Sequence, residues 1–363
     1  EPERPGAGPE APNLIRAFGH RRSKRHAEGL ATLARVPADF EAARRAELAG
    51  HFHEGLADYD AAFAEFARMN AIQAEDPSQP LIRAEKVRES LREQTRHMTA
   101  KWRKGWKSPL FEAPRPAPIF LVGFPRSGTT LLDTMLMGHP DVEVMEERPV
   151  LRAVSRSIGG FSEIPNLDEA GVRAAQARYF EEAAGHAELR EGAVLVDKSP
   201  LHLHFAPLIH RLFPNARFIL ALRHPADVLL SCFVSNFRLN SSMANFLRLD
   251  TAAEFYDLTF GMWEKSRSLL AMDVHTIAYE KLIEDTEGEL RRLTDSLGLG
   301  WHGAMADHKR TAASRGVVMT ASYAQVTEPI YTRSVGRWQQ YRKHLEPVLP
   351  LLAPWAEKFG YSL

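Results

Sequence analysis

The chain has 363 residues, enough for one large or two ordinary domains with a buried core, and its 44% apolar and 25% charged content is ordinary for a globular protein. Its 46 basic residues balance 46 acidic ones, so no global field argues for nucleic acid or a membrane surface, and any anion site must be local. The single cysteine, Cys232, excludes an intrachain disulfide and cysteine-rich metal sites, and no apolar run approaches the length of a membrane span.

The sequence opens on Glu1-Pro2-Glu3-Arg4-Pro5 without a methionine, as expected of a processed or trimmed piece of a longer protein. Residues 1–12 are rich in Pro, Gly and Glu, a composition expected to be disordered. Residues 13–108 are rich in Ala, Glu, Arg and Leu and lack strand signals, which predicts about four or five helices. Within them Gly50, Tyr59-Asp60, Ala62 and Phe66 fall at the spacings of a tetratricopeptide unit, whose small residues let paired helices pack closely. A lone unit cannot bury its own face, so it is expected to end an array, docked on the next domain, with a surface for a protein partner.

The cluster Lys101-Trp102-Arg103-Lys104-Gly105-Trp106-Lys107 leads into a Pro-rich linker at 109–118. A solvated linker with both tryptophans packed on a domain seam explains it better than a membrane or nucleic-acid patch. Residues 119–363 then read as one α/β domain. Ile119–Gly123, Val194–Asp197, Arg217–Leu222 and Val274–Ala278 are short apolar runs flanked by helical segments, the pattern of a parallel sheet sandwiched by helices. Ligands then belong at the carboxyl ends of the strands.

The first of these runs meets a turn, Gly123-Phe124-Pro125-Arg126-Ser127-Gly128, and Thr129-Thr130 opens a helix. A strand feeding such a loop onto a helix N-terminus offers free backbone N–H groups to an anion. The spacing Gly123-x4-Gly128 is that of a P-loop, but Thr129 stands where a nucleotide hydrolase needs its lysine. Arg126 and the hydroxyls of Ser127, Thr129 and Thr130 would wrap one phosphate. The bland alternative is an ordinary helix cap. A second candidate site is Arg223, at a strand end, with Ser231 two helical turns on; the alternative there is an arginine paired with Asp227. Two phosphate sites on neighbouring strands, without a lysine for a triphosphate, describe adenosine 3′,5′-bisphosphate.

On these residues the chain, from 119 to about 340, resembles the sulfotransferases that use 3′-phosphoadenosine 5′-phosphosulfate (PAPS). It is most similar to the tyrosylprotein branch and the bacterial tetratricopeptide-linked members. The shared features are the Phe124–Leu132 loop, His139-Pro140, Glu146-Glu147, Asp197-Lys198-Ser199-Pro200, Phe213-Pro214-Asn215-Ala216, Arg223 through Ser231, Tyr279-Glu280 and Gln325-Val326. The resemblance implies an α/β, P-loop-like fold preceded by a helical tetratricopeptide-like segment, PAPS as donor, the bisphosphate as product, and no required metal. It implies Glu147 as catalytic base, with Glu146, His202 and His204 as competitors, Lys198 on the leaving oxygen and Arg126 on the sulfuryl oxygens. Arg126, Ser127, Gly128, Thr129, Thr130, Arg223, Ser231 and Tyr279 would hold the cofactor. Arg333 and Arg337, flanking Gly336, would reach the 3′-phosphate, with an arginine at 333 where the family carries a lysine.

The acceptor is a hydroxyl: a peptide tyrosine, a carbohydrate or a small molecule. Arg148, Arg152, Arg156, Arg238 and Arg248 are candidates for a basic groove that would favour an acidic peptide. A bacterial, cytoplasmic setting is expected, no nucleic acid is, and a homodimer is left open. Two other classes stay in view: a P-loop kinase or nucleotide hydrolase using Asp197 for its metal, and a non-catalytic scaffold.

Overall fold

A computed structural model describes residues 10–107, 111, 115–314 and 334–363. Gln325-Val326, Thr332 and Arg333, and residues 1–9, 109 and 114, lie outside the described residues. The chain forms two compact units, one drawn from residues 1–88, 225–255 and 336–363, the other from 89–224 and 256–335. Residues 89–118 thus fall with the sheet, whereas 225–255 and 336–363 fall with the N-terminal helices.

The helical unit holds the helices Glu10–Arg22, His26–Leu33, Ala42–Gly55 and Tyr59–Ala74, the first beginning inside the segment 1–12. Asp58 caps the fourth, its carboxylate accepting from Ala61 N at 3.1 Å. Leu14, Leu33, Val36, Leu48 and Phe52 form the core between the first three. The third and fourth close on each other at Gly50, where a Cβ would stand 2.6 Å from the Phe66 ring. Only glycine permits that approach.

The sheet unit contains five parallel strands in the order β2-β3-β1-β4-β5, where β1 is Ile119–Gly123, β2 Val142–Glu146, β3 Val194–Lys198, β4 Arg217–Leu222 and β5 Asp273–Ala278. Four of them coincide with the apolar runs of the sequence. β2 is an addition: Val142-Glu143-Val144-Met145-Glu146 carries two glutamates, and as an edge strand it needs no continuous apolar run. Alternation sends Leu121, Val196 and Ile219 to one face, against Leu132, Met135 and Leu136 of the helix Thr129–Leu136. Phe120 and Phe218 face the other side, where Phe120 meets Tyr179 and Phe213. Strand order reverses around β1, the kind of switch point where ligands enter at strand carboxyl ends.

The two tryptophans of the basic-aromatic cluster pack within this unit, while Lys101, Lys104 and Lys107 are exposed. Trp106 is buried with the Arg103 guanidinium 4.3 Å from its ring centre, and Trp102 stacks on Phe161 at 5.6 Å. No helix among the described residues is long and apolar enough to cross a membrane.

Candidate active site

The loop leaving β1 is shaped by two glycines. At Gly123 a Cβ would lie 2.6 Å from Ala221 O and 2.7 Å from Ser127 Oγ, so the loop folds back tightly over its own strand. Gly128 has φ +93° and caps the helix Thr129–Leu136, and a Cβ there would stand 2.6 Å from the Tyr279 ring. Arg126, between them, takes φ +71°, a conformation rare for a side-chain-bearing residue and often retained where function requires it. Ser127, Thr129 and Thr130 are buried, and Ser127 Oγ has no hydrogen-bond partner among the described residues. A buried, unsatisfied hydroxyl beneath a helix N-terminus fits an anion of phosphate size.

Beside this loop stands a buried cation. β3 pairs with β1, placing Lys198 alongside Leu121, and with β2, placing it opposite Glu146. Glu147 N continues the β2 ladder by donating to Lys198 O at 2.7 Å, and its φ of +49° turns the chain away there. The Lys198 ammonium contacts Asp133 at 3.1 Å and Glu146 and Glu147 at 2.8 Å each. Side-chain exposure grades these partners: 0% for Lys198 and Asp133, 18% for Glu146 and 43% for Glu147. Burial alone would lower the lysine's pKa, but Asp133, Glu147 and Glu146 outweigh it and hold the ammonium above its ordinary range. A permanent cation faces one buried and two accessible carboxylates.

Asp133 is the residue the sequence analysis missed. Its signal was a lone acid in Thr129-Thr130-Leu131-Leu132-Asp133-Thr134-Met135-Leu136, a helix buried at every position. An unpaired carboxylate is not tolerated there, so a cationic partner was required.

Asp197 and Lys198 are neighbours that point to opposite faces of the sheet, and both are buried. Asp197 is fully buried and accepts from Tyr179 OH at 2.7 Å, with His202 Nδ1 3.6 Å away. Burial pushes its carboxyl up to about 7, against the opposing hydrogen bond from Tyr179. The candidate histidines share this side: burial lowers His202 to about 3, helped by His204, Arg152 and Lys198, and lowers His204 to about 4. Both are neutral at physiological pH and weakly basic. An acid whose folded pKa lies above its unfolded value loses stability as pH rises from the unfolded pKa to the folded one, here from about 4 to about 7. Asp197→Asn is therefore expected to gain stability over the parent between pH 5 and pH 8, by on the order of 2 kcal/mol in denaturant unfolding. An equal stability difference at both pH values would contradict this.

His139 serves the fold: Asp141 N donates to its Nδ1 at 3.1 Å, which leaves Nε2–H to donate to Gly300 O at 2.8 Å. Arg223 donates to the carbonyls of Arg126, at 3.2 Å, and Ser334, and lies 4.9 Å from the Tyr279 ring centre; Tyr279 OH meets Ser334 Oγ at 3.1 Å. The carbonyl of the strained Arg126 is thus held from β4. Glu280 accepts from His224 N at 3.0 Å.

Three sequence candidates lie in the helical unit, on or near the helix Pro225–Phe233. Asp227 accepts from Gly336 N at 2.7 Å and Trp338 N at 2.8 Å, so it anchors the C-terminal segment. Ser231 is buried one turn further along the same helix, and Arg337 Nε donates to Glu54 at 2.5 Å. Arg148, Arg152, Arg156, Arg238 and Arg248 are all exposed, and Arg248 pairs with Asp250 at 2.7 Å.

The sequence pattern that defines the Sulfotransferase family matches residues 118–303, just over half of the chain. The chain belongs to the sulfotransferase family. Among its relatives, protein-tyrosine sulfotransferase 1 of Mus musculus is 30% identical over 267 residues, covering 67% of this chain and 69% of that one. Protein-tyrosine sulfotransferase 2 of Gallus gallus is 28% identical over 273 residues, covering 67% and 71%. An uncharacterized protein of Aquifex aeolicus is 28% identical over 252 residues, 66% of this chain but only 32% of that longer protein. The sulfotransferase domain of the Synechococcus PCC 7002 olefin synthase aligns with a TM-score of 0.44 and 23% identity, over 71% of this chain and 99% of that one. In this sulfotransferase the matched span takes in the loop, Asp133, the Glu146-Glu147 pair, Lys198, Arg223, Ser231 and Tyr279. The N-terminal helices and Arg337 lie outside it.

Proposed function

We propose that this sulfotransferase moves a sulfuryl group from PAPS to an acceptor hydroxyl by in-line displacement, with Glu147 as base. The observation that carries the reading is the Lys198 ammonium within 2.8 Å of Glu147, the most exposed of its three carboxylates, at the strand ends beside the Gly123–Gly128 loop. When bound, the donor supplies an activated sulfuryl group on its 5′-phosphate. Backbone N–H groups, Ser127, Thr129 and Thr130 take that phosphate, and Arg126 stabilises the sulfuryl oxygens. With the donor bound, Lys198 would exchange Glu147 for the bridging oxygen and neutralise the electron pair that departs with it. Glu147, so released, accepts the proton of the acceptor hydroxyl as its oxygen bonds to sulfur. Arg223, Ser231, Tyr279, Arg333 and Arg337 are proposed for the bisphosphate end of the donor.

The relatives named protein-tyrosine sulfotransferases support a peptide tyrosine as acceptor. The exposed Arg148, Arg152 and Arg156, spaced four apart from Glu147's neighbour onward, suit an acidic segment around that tyrosine. Carbohydrate and small-molecule hydroxyls are the other acceptors to screen with labelled PAPS. The pair Ala42–Gly55 and Tyr59–Ala74 is read as tetratricopeptide-like, a surface for a protein partner.

The donor assignment is tested by thermal unfolding. Adenosine 3′,5′-bisphosphate at a hundred times its Kd is expected to stabilise the protein by about 2.7 kcal/mol, and ATP with magnesium far less. A melting temperature indifferent to the bisphosphate would remove the basis of the proposal.

A further inference from the structure

We propose that Glu54, on the N-terminal helix Ala42–Gly55, is a positioning residue that sets Arg337 for the donor's 3′-phosphate. The inference builds on the PAPS reading above and concerns residues of the helical unit alone. Arg337 starts from a fixed backbone: Gly336, at φ +70°, turns the chain, and Asp227 accepts from both Gly336 N and Trp338 N. Ser231 lies four residues beyond Asp227, on the same helix face.

From that backbone the Arg337 side chain runs to Glu54. Nε donates to Glu54 Oε1 at 2.5 Å, Tyr341 OH donates to the same oxygen at 3.0 Å, and His51 Nδ1 stands 3.5 Å from Oε2. The carboxylate remains ionised: burial would raise its pKa, but His51 and Arg337 outweigh this and hold it at about 2. Glu54 takes the guanidinium at Nε, and Tyr341 also hydrogen-bonds to it. A guanidinium that serves only an internal ion pair gains most by a two-pronged grip on its carboxylate. Here Nη2 is instead buried with no hydrogen-bond partner among the described residues, a costly state that a bound anion would relieve. Glu54 thus fixes one edge of the guanidinium and leaves Nη2 for an anion.

The test compares two ligands on the full chain by titration calorimetry: adenosine 3′,5′-bisphosphate and adenosine 5′-monophosphate, which lacks the 3′-phosphate. The readout is the ratio of their Kd values, because a general structural lesion weakens both and leaves the ratio unchanged. Glu54→Gln is expected to lower the ratio about tenfold, the loss of one charge-assisted hydrogen bond to the arginine. Arg337→Gln should lower it further, and the double variant no further than Arg337→Gln alone. Should Glu54→Gln not fold, Glu54→Asp, which keeps the charge but shortens the reach, is expected to show a smaller loss in the same direction. A ratio unchanged or raised by the Glu54 substitution, while Arg337→Gln lowers it, would overturn the inference. A wild-type protein that does not prefer the bisphosphate would overturn the donor reading instead.

Discussion

Glu147→Gln is expected to slow sulfuryl transfer about a thousandfold while leaving adenosine 3′,5′-bisphosphate affinity within about threefold, since loss of a general base costs two to four orders of magnitude. The substitution is nearly isosteric, and its amide oxygen can still accept from the Lys198 ammonium, now at 2.8 Å from the carboxylate. What it removes is the capacity to take a proton. Glu146→Gln is the matched control, since Glu146 pairs opposite Lys198 in the strand register and is less exposed, at 18% against 43%. It should retain most of the rate. The two histidines that follow Lys198 offer no substitute, because burial keeps both weakly basic. Initial rates with labelled PAPS and a tyrosine peptide, beside bisphosphate titration, give both numbers. A fully active Glu147→Gln, or a Glu146→Gln that loses as much, would move the base elsewhere.

Asp133→Asn is expected to destabilise the fold by about 3 kcal/mol, the scale for removing one partner of a buried ion pair. Lys198 and Asp133 are both fully buried, so the ammonium has no water to fall back on when that charge goes. Glu146 and Glu147 remain, but both reach toward solvent, and Glu147 has other work in the proposed reaction. A second substitution, Lys198→Met, should recover much of the loss, because it removes the charge that Asp133→Asn strands. Urea unfolding of the single and double variants measures both effects. Additive losses in the double variant would mean that Asp133 stabilises the helix independently of the lysine.

Much of the sheet was legible in the sequence because buried parallel strands demand apolar runs, which β1, β3 and β4 carry, and β5 keeps Val274, Ile277 and Ala278. β2 was not, because its two glutamates interrupt the run. The loop was readable from its glycines, which answer to specific close approaches at Ala221, Ser127 and Tyr279. Partner choice was harder. Asp227 reads as a counter-ion for the nearby Arg223, yet in the fold it binds two backbone amides more than a hundred positions away. Lys198 and Asp197 are adjacent in sequence, but strand alternation separates them onto opposite faces. The Glu54–Arg337 contact joins residues 283 positions apart, and no local spacing rule reaches that far.

The place of β2 in the sheet has a kinetic meaning. Order β2-β3-β1-β4-β5 leaves it, like β5 at the other edge, bonded to a single neighbour, so the carboxylates at its end are held by an edge strand. Edge elements open locally at free energies well below that of global unfolding. Each such opening would carry Glu146 and Glu147 away from Lys198 while Asp133, on a fully buried helix, stays behind. The cation and its inner counter-ion would persist through events that carry the base away.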